Sequence, residues 1–163
     1  MSTMRTVIMR WLLRSACLLG MTAWLGGFTF YSAFVVSILH QEMGSFASGL
    51  ITQRVTNDLN LVGAIALVPW WVEGWIDRRR GSLPARGLRW FLLATTTLGL
   101  AWLCLLHRSM DRILESEVIA GFYPLHRVYL IVSTVMWVVN IALVTQEALE
   151  PAGRAAGTGS EFQ

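Results

Sequence analysis

Four long apolar runs, separated by shorter polar stretches, organise this chain. They cover residues 15–39, 59–76, 90–106 and 128–148. Each approaches or exceeds the roughly 17–25 residues with which an α-helix crosses a bilayer. The pattern predicts an all-α fold, an integral membrane four-helix bundle. Short connections favour antiparallel neighbours. Residues 1–14 place Arg5, Arg10 and Arg14 among apolar residues with Trp11, an amphipathic lead-in at a membrane surface. A cleaved signal peptide fits less well, because the apolar run continues to residue 39 without a small-residue cleavage site.

The polar stretches add detail. In residues 40–58, Phe46, Leu50, Val55 and Leu59 recur near helical spacing, and Ser45 is placed to cap a helix leading into the second span. Pro69 is expected to bend that span. Residues 107–127 form a loop with a short helix over 111–120, ahead of Gly121 and Pro124. Residues 149–163 read as a disordered tail whose end, GTGSEFQ, resembles a cloning junction.

Charge gives the segments their sides. Residues 77–89 carry Arg78, Arg79, Arg80, Arg86 and Arg89 against Asp77, between two apolar runs. Positive loops resist translocation, so this loop is expected in the cytoplasm, which puts both termini there too. Eight arginines then lie inside and four (Arg54, Arg108, Arg112, Arg127) outside, leaving Arg154 in the tail aside. Trp11, Trp70, Trp71, Trp75 and Trp90 would form an aromatic belt at the inner interface. Glu73 lies near it, in reach of a salt bridge with Arg78–Arg80. The composition agrees: 55% hydrophobic and 14% charged, against about a quarter charged in soluble domains. All thirteen basic residues are arginine, and no basic stripe with interleaved aromatics points to nucleic acid. The expected partners are the bilayer and a second copy or a larger membrane complex, in a bacterial inner membrane.

Candidate chemistry gathers at the outer ends of the spans. His40, His107 and His126 all fall there, near Met43, Met110 and Cys104. Imidazole with soft sulfur ligands suits copper, and two histidines from different helices suit haem iron. The plainer reading makes the histidines interfacial residues hydrogen-bonded to loop carboxylates. A second group, Arg54, Asp58, Asn60, Asp111, Arg127 and Tyr129, is either a set of surface pairs or an anion site in the bundle mouth. Small and polar stripes are expected to face the interior: Ser37, Ala33 and Gly26 on span 1, Cys104 and Thr97 on span 3, Ser133 and Asn140 on span 4. Ala23 with Gly27 forms a small-xxx-small pair, and Thr95–Thr97 with Gly99 a packing patch. Cys17 and Cys104 are placed near opposite faces, too far apart to bridge. A weak internal repeat, L-H-x-x-M at Leu39 and Leu106, hints at hairpin duplication. No nucleotide loop, catalytic triad or zinc-protease motif is present, so no enzyme is expected.

The segments WLGGFTFYSAFVV (24–36), GLITQRVTNDLNLVG (49–63), LHRSMD (106–111) and FYPLHRVYLIVSTVMW (122–137) resemble small four-span bacterial inner-membrane proteins. These are distantly similar to the copper-resistance protein D and transmembrane-205-like families. The resemblance implies a four-helix membrane fold and, through the distant relatives, an association with copper. It singles out Gly26, Gly27, Gln53, Arg54, Asn60, His107, Asp111, Tyr123, His126, Arg127 and Tyr129. The function expected is binding of a metal or haem at the periplasmic end. An accessory subunit and a small-solute transporter are the alternatives.

Overall fold

The computed structural model describes residues 2–76, 83–115 and 122–149, and this part of the chain is entirely helical. Helix α1 spans Ser2–Phe30 and passes through a π-helical turn, Tyr31–Val35, into α2, Val36–Ile76; α3 is Leu83–Glu115 and α4 Phe122–Leu149. Four stretches are long and apolar enough to cross a membrane: Met4–Gly44, Ala47–Ile76, Arg86–Ile113 and Pro124–Ala148. Helix is the natural outcome for such runs, because lipid offers no partner for an unpaired backbone group.

The boundaries differ from the sequence pattern in three places. No break separates the amphipathic lead-in from the first span. The polar stretch 40–58 is helical too, interrupted at Gly44, whose φ of 73° is open to glycine and strained for most other residues. That one residue splits α2 into two helices and does the work of a loop. Helical dihedrals persist through Pro69, where a bend is expected. The arginine cluster at 78–80, the distal part of the 111–120 helix, the side chains of Ser45 and Tyr123, and the tail beyond residue 149 lie outside the described residues.

Helices α1 and α2 meet closely. A β-carbon on Gly20 would sit 3.3 Å from Ala66 Cα, and one on Gly63 2.3 Å from the Trp24 ring. Gly27 faces Leu59, and the Trp70 indole donates to the Cys17 carbonyl at 3.0 Å. Along this pair, residue numbers rise on α1 as they fall on α2. The same holds for α3 and α4: Arg89 pairs with Glu147, Thr96 with Asn140, Gly99 lies under Met136, and His107 faces Tyr129. The buried face of α4 reads Tyr129, Ser133, Met136, Asn140, Leu143, Glu147, the alternating three- and four-residue spacing of knobs-into-holes packing. Helices α1 and α4 touch only lightly.

Several expected interior residues are displaced. Ala23, Gly26, Ala33 and Ser37 are exposed, because Cys17, Met21, Trp24 and Tyr31 occupy the inner face of α1. The close crossing belongs to Gly20 and Gly63 instead of Ala23 and Gly27. Trp70 sits in the core, while Trp11 and Trp75 are exposed as a belt requires. On α3 and α4, Thr96, Ser133 and Asn140 are buried, and Gly99 packs beneath Met136.

Candidate functional site

Two polar clusters are built into this apolar bundle. One joins all four helices, midway along α1 and near the ends of α2 and α4. Glu73 and Glu147 are buried. The Arg89 guanidinium lies between them, 3.0 Å from Glu73 Oε2 and 3.5 Å from Glu147 Oε2. Arg14 approaches Glu147 Oε1 at 3.4 Å and donates to the Glu147 backbone carbonyl at 2.7 Å. The Cys17 thiol donates to Glu73 Oε2 at 3.3 Å. Two arginines thus match two glutamates, and the knot is electrically neutral. Buried charges persist in such surroundings only when paired and hydrogen-bonded. The sequence places Glu73 in reach of Arg78–Arg80, which lie outside the described residues; its partner in the structure is Arg89. The sequence pattern gives Glu147 no role and places Arg14 only in the amphipathic lead-in. The signal for them was that two acidic side chains lie within or at the ends of apolar runs, where each needs a cation.

The second cluster lies toward the other end, one helix face at a time. His107 and Tyr129 are buried with ring centroids 6.3 Å apart. His107 Nε2 lies 3.8 Å from Asp111 Oδ1, one turn along α3, and Gln53 of α2 donates to the same carboxylate oxygen. Asn60 is buried on α2 and interacts with the Tyr129 hydroxyl, as does Ser133. Ser133 itself is satisfied by the Tyr129 carbonyl at 2.8 Å. From α1, the register set by Gly20, Trp24 and Gly27 brings Tyr31 opposite the Thr56–Asn60 turn of α2. Tyr31 sits on the π-turn, in which the Val36 N–H reaches back to the Tyr31 carbonyl. Such turns re-aim side chains and recur at functional sites.

This cluster, called the chamber below, leaves several polar atoms with unfinished hydrogen bonding. Tyr31 Oη, Asn60 Nδ2, His107 Nδ1 and Tyr129 Oη are all buried, and none completes a well-aligned hydrogen bond with the protein. The four residues are each less than a tenth exposed and come from four different segments. Leaving such a group unpaired costs about 1–3 kcal/mol, so four together call for something that pairs with them. The Asn60 amide N–H can only donate, the two phenol hydroxyls donate or accept, and His107 Nδ1 does either according to its tautomer.

The remaining sequence candidates are dispersed. His40 is exposed and hydrogen-bonds Ser48 at 3.1 Å across the Gly44 break. Met43 is exposed, His126 and Cys104 are half-buried, and Met110 is in the core. Arg54, Asp58 and Arg127 are exposed, so the expected anion site in the bundle mouth has no buried cation. Among the described residues, no three histidine, cysteine, aspartate or glutamate side chains come together as metal ligands. The copper or haem candidates are His40, His107, His126, Met43, Met110 and Cys104. Only His107 and Met110 of the six are buried. Cys17 and Cys104 are both free thiols.

No family model, curated protein or solved structure matches the chain.

Proposed function

We propose that the protein is a binding protein of the bacterial inner membrane that holds a small ligand in the Tyr31–Asn60–His107–Tyr129 chamber and catalyses no reaction. In this reading the helices form an antiparallel bundle with both termini cytoplasmic, and the chamber lies toward the periplasm. The excess of arginine in the 1–14 and 77–89 segments supports that orientation. The resemblance to four-span inner-membrane proteins belongs to the same reading. The observation that carries the function is that Tyr31, Asn60, His107 and Tyr129, buried on four segments of the chain, each leave a polar atom without a well-aligned hydrogen bond. A metal would find one buried histidine there, with Asp111 beside it, so a coordinated ion would need ligands from outside the protein.

The test uses detergent-purified protein with no added metal or chelator. Visible absorption, elemental metal content and mass spectrometry of an organic extract are compared between the native chain and His107→Ala and Tyr129→Phe variants. A near-stoichiometric small molecule, metal or haem, lost from both variants, is the expected result. A native protein that carries nothing, and whose heat stability matches that of both variants, overturns the reading. A second reading, an accessory subunit, is favoured by Ala23 and Gly26, which leave a small-residue patch open on the outside of α1.

A further inference from the structure

Beside the chamber, α1 and α4 part to leave an apolar groove of about 430 Å³. Leu25, Gly26, Phe30 and Phe34 form one wall, and Trp137 and Ile141 the other. Phe30 and Phe34 stack their rings at 5.7 Å. The groove's polar atoms are already used: Trp137 Nε1 donates to Thr29 Oγ1 at 2.9 Å, and Thr29 donates to the Leu25 carbonyl at 2.7 Å. What remains is a surface suited to hydrocarbon. It lies within the spanning stretches Met4–Gly44 and Pro124–Ala148, so its surroundings are lipid.

Groove and chamber draw on neighbouring stretches of the chain. Phe30 ends α1 and Phe34 shares the π-turn with Tyr31; the phenylalanines are exposed and the tyrosine buried. On α4, Trp137 is one turn from Ser133 and two from Tyr129. At 1.5 Å per residue the groove's tryptophan stands about 12 Å along the axis from the chamber's tyrosine. We infer that the two features are one site for a membrane-soluble amphiphile, with its tail along the α1–α4 groove and a neutral, hydrogen-bond-accepting head of the quinone type in the chamber. This rests on the binding function proposed above and names its ligand class.

An accepting head fits, because the Asn60 N–H can only donate and the Tyr31 and Tyr129 hydroxyls are able to. It must be neutral, because the Asp111 carboxylate already stands at the chamber, and Arg54 and Arg127 are exposed instead of buried there. An anionic phosphate head would meet like charge without a buried cation to offset it. Paired ring carbonyls meet both conditions. They suit donors approaching from different helices, and an isoprenoid or alkyl tail suits the groove. Only binding is inferred; no electron or proton is transferred.

The probe is a decyl-tailed benzoquinone added to purified protein, with a decyl compound lacking the ring carbonyls as control. Binding is read as quenching of tryptophan fluorescence and as a rise in unfolding temperature. The quinone is expected to bind at least tenfold more tightly than the control, and Trp137→Phe is expected to remove much of the quenching. Gly26→Leu fills the groove from a position where an added β-carbon meets nothing within 4 Å, so the fold tolerates it; it is expected to weaken binding about tenfold or more. Tyr129→Phe with Asn60→Leu is expected to do the same through the head. Quinone affinity unchanged by Gly26→Leu overturns the groove as its seat. Equal affinity for the headless compound overturns the head assignment. No quinone binding by a protein that still co-purifies a His107-dependent ligand overturns this inference and leaves the binding function standing.

Discussion

Gly63 marks how little room the α1–α2 interface leaves. The space that its side chain would fill is taken by the rigid indole of Trp24, itself buried. Gly63→Ala is therefore expected to lower stability by about 1–3 kcal/mol, the usual cost of overpacking. Gly26→Ala, with nothing within 4 Å of the added carbon, is expected to change it little. Thermal unfolding of both variants in the same detergent checks the contrast. The sequence points to Ala23 and Gly27 because small residues four apart are the familiar signature; it cannot show that a tryptophan on one helix will seek a glycine on the other. Charge is more legible. Glu73 in an apolar run demands a cation, and it has one in Arg89, 16 positions away. Removing that guanidinium leaves two buried carboxylates without it, so Arg89→Ala is expected to cost about 3–5 kcal/mol. Glu73→Gln combined with Arg89→Met should recover part of the loss, because the uncompensated charge is then gone. Equal loss in the single and double variants would show that the knot is held by packing alone.

Helix α4 carries polar residues on its inner face at heptad intervals, Ser133, Asn140 and Glu147, with Met136 and Leu143 between them. Asn140 accepts from Thr96 at 2.9 Å and thereby ties α3 to α4 in mid-bundle. Hydrogen bonds of this kind contribute about 0.6 kcal/mol, up to about 1.7, in membrane bundles. Asn140→Leu should cost an amount in that range, and Thr96→Val should add little to it, since the partner is already lost. A double-mutant cycle that gives simple additivity would mean that the pair does not couple the helices. At this scale the apolar runs and the inward placement of Ser133 and Asn140 are readable, because a 3.6-residue period shows which face is shared. The short break at Gly44 is not. A polar, helix-compatible stretch such as 40–58 looks like a loop in composition, and only the backbone shows that one glycine does the turning. The same limit hid Tyr31: nothing in YSAFV announces a π-turn that rotates the tyrosine inward and leaves Phe30 and Phe34 outward.

Across the whole molecule, the two polar clusters differ in kind. The knot of Arg14, Glu73, Arg89 and Glu147 is neutral, with both carboxylates ion-paired, which suits a clamp holding four helices. The chamber of Tyr31, Asn60, His107 and Tyr129 is left open, which suits a site. The sequence names His107, Asn60, Asp111 and Tyr129 of the second, but divides them between metal ligands and a polar group, because periodicity does not reveal which polar atoms lack partners. If the arginine-rich segment 77–89 faces the cytoplasm, the clamp lies inside and the chamber toward the periplasm, where a membrane-soluble ligand would enter from the outer leaflet. Positive loops are retained in the cytoplasm because moving several arginines across the bilayer is costly. A cysteine placed at Ser82, with Cys17 and Cys104 changed to serine or alanine, should then react with a membrane-impermeant maleimide only after the cytoplasmic face is opened. A second probe at Arg54, exposed near the chamber end, should react in intact spheroplasts. Reversal of both patterns would turn the protein over, moving the chamber to the cytoplasmic side without altering its chemistry. Labelling of both positions from one side would separate the ends from the assigned faces altogether, and with them the route by which a ligand reaches the site.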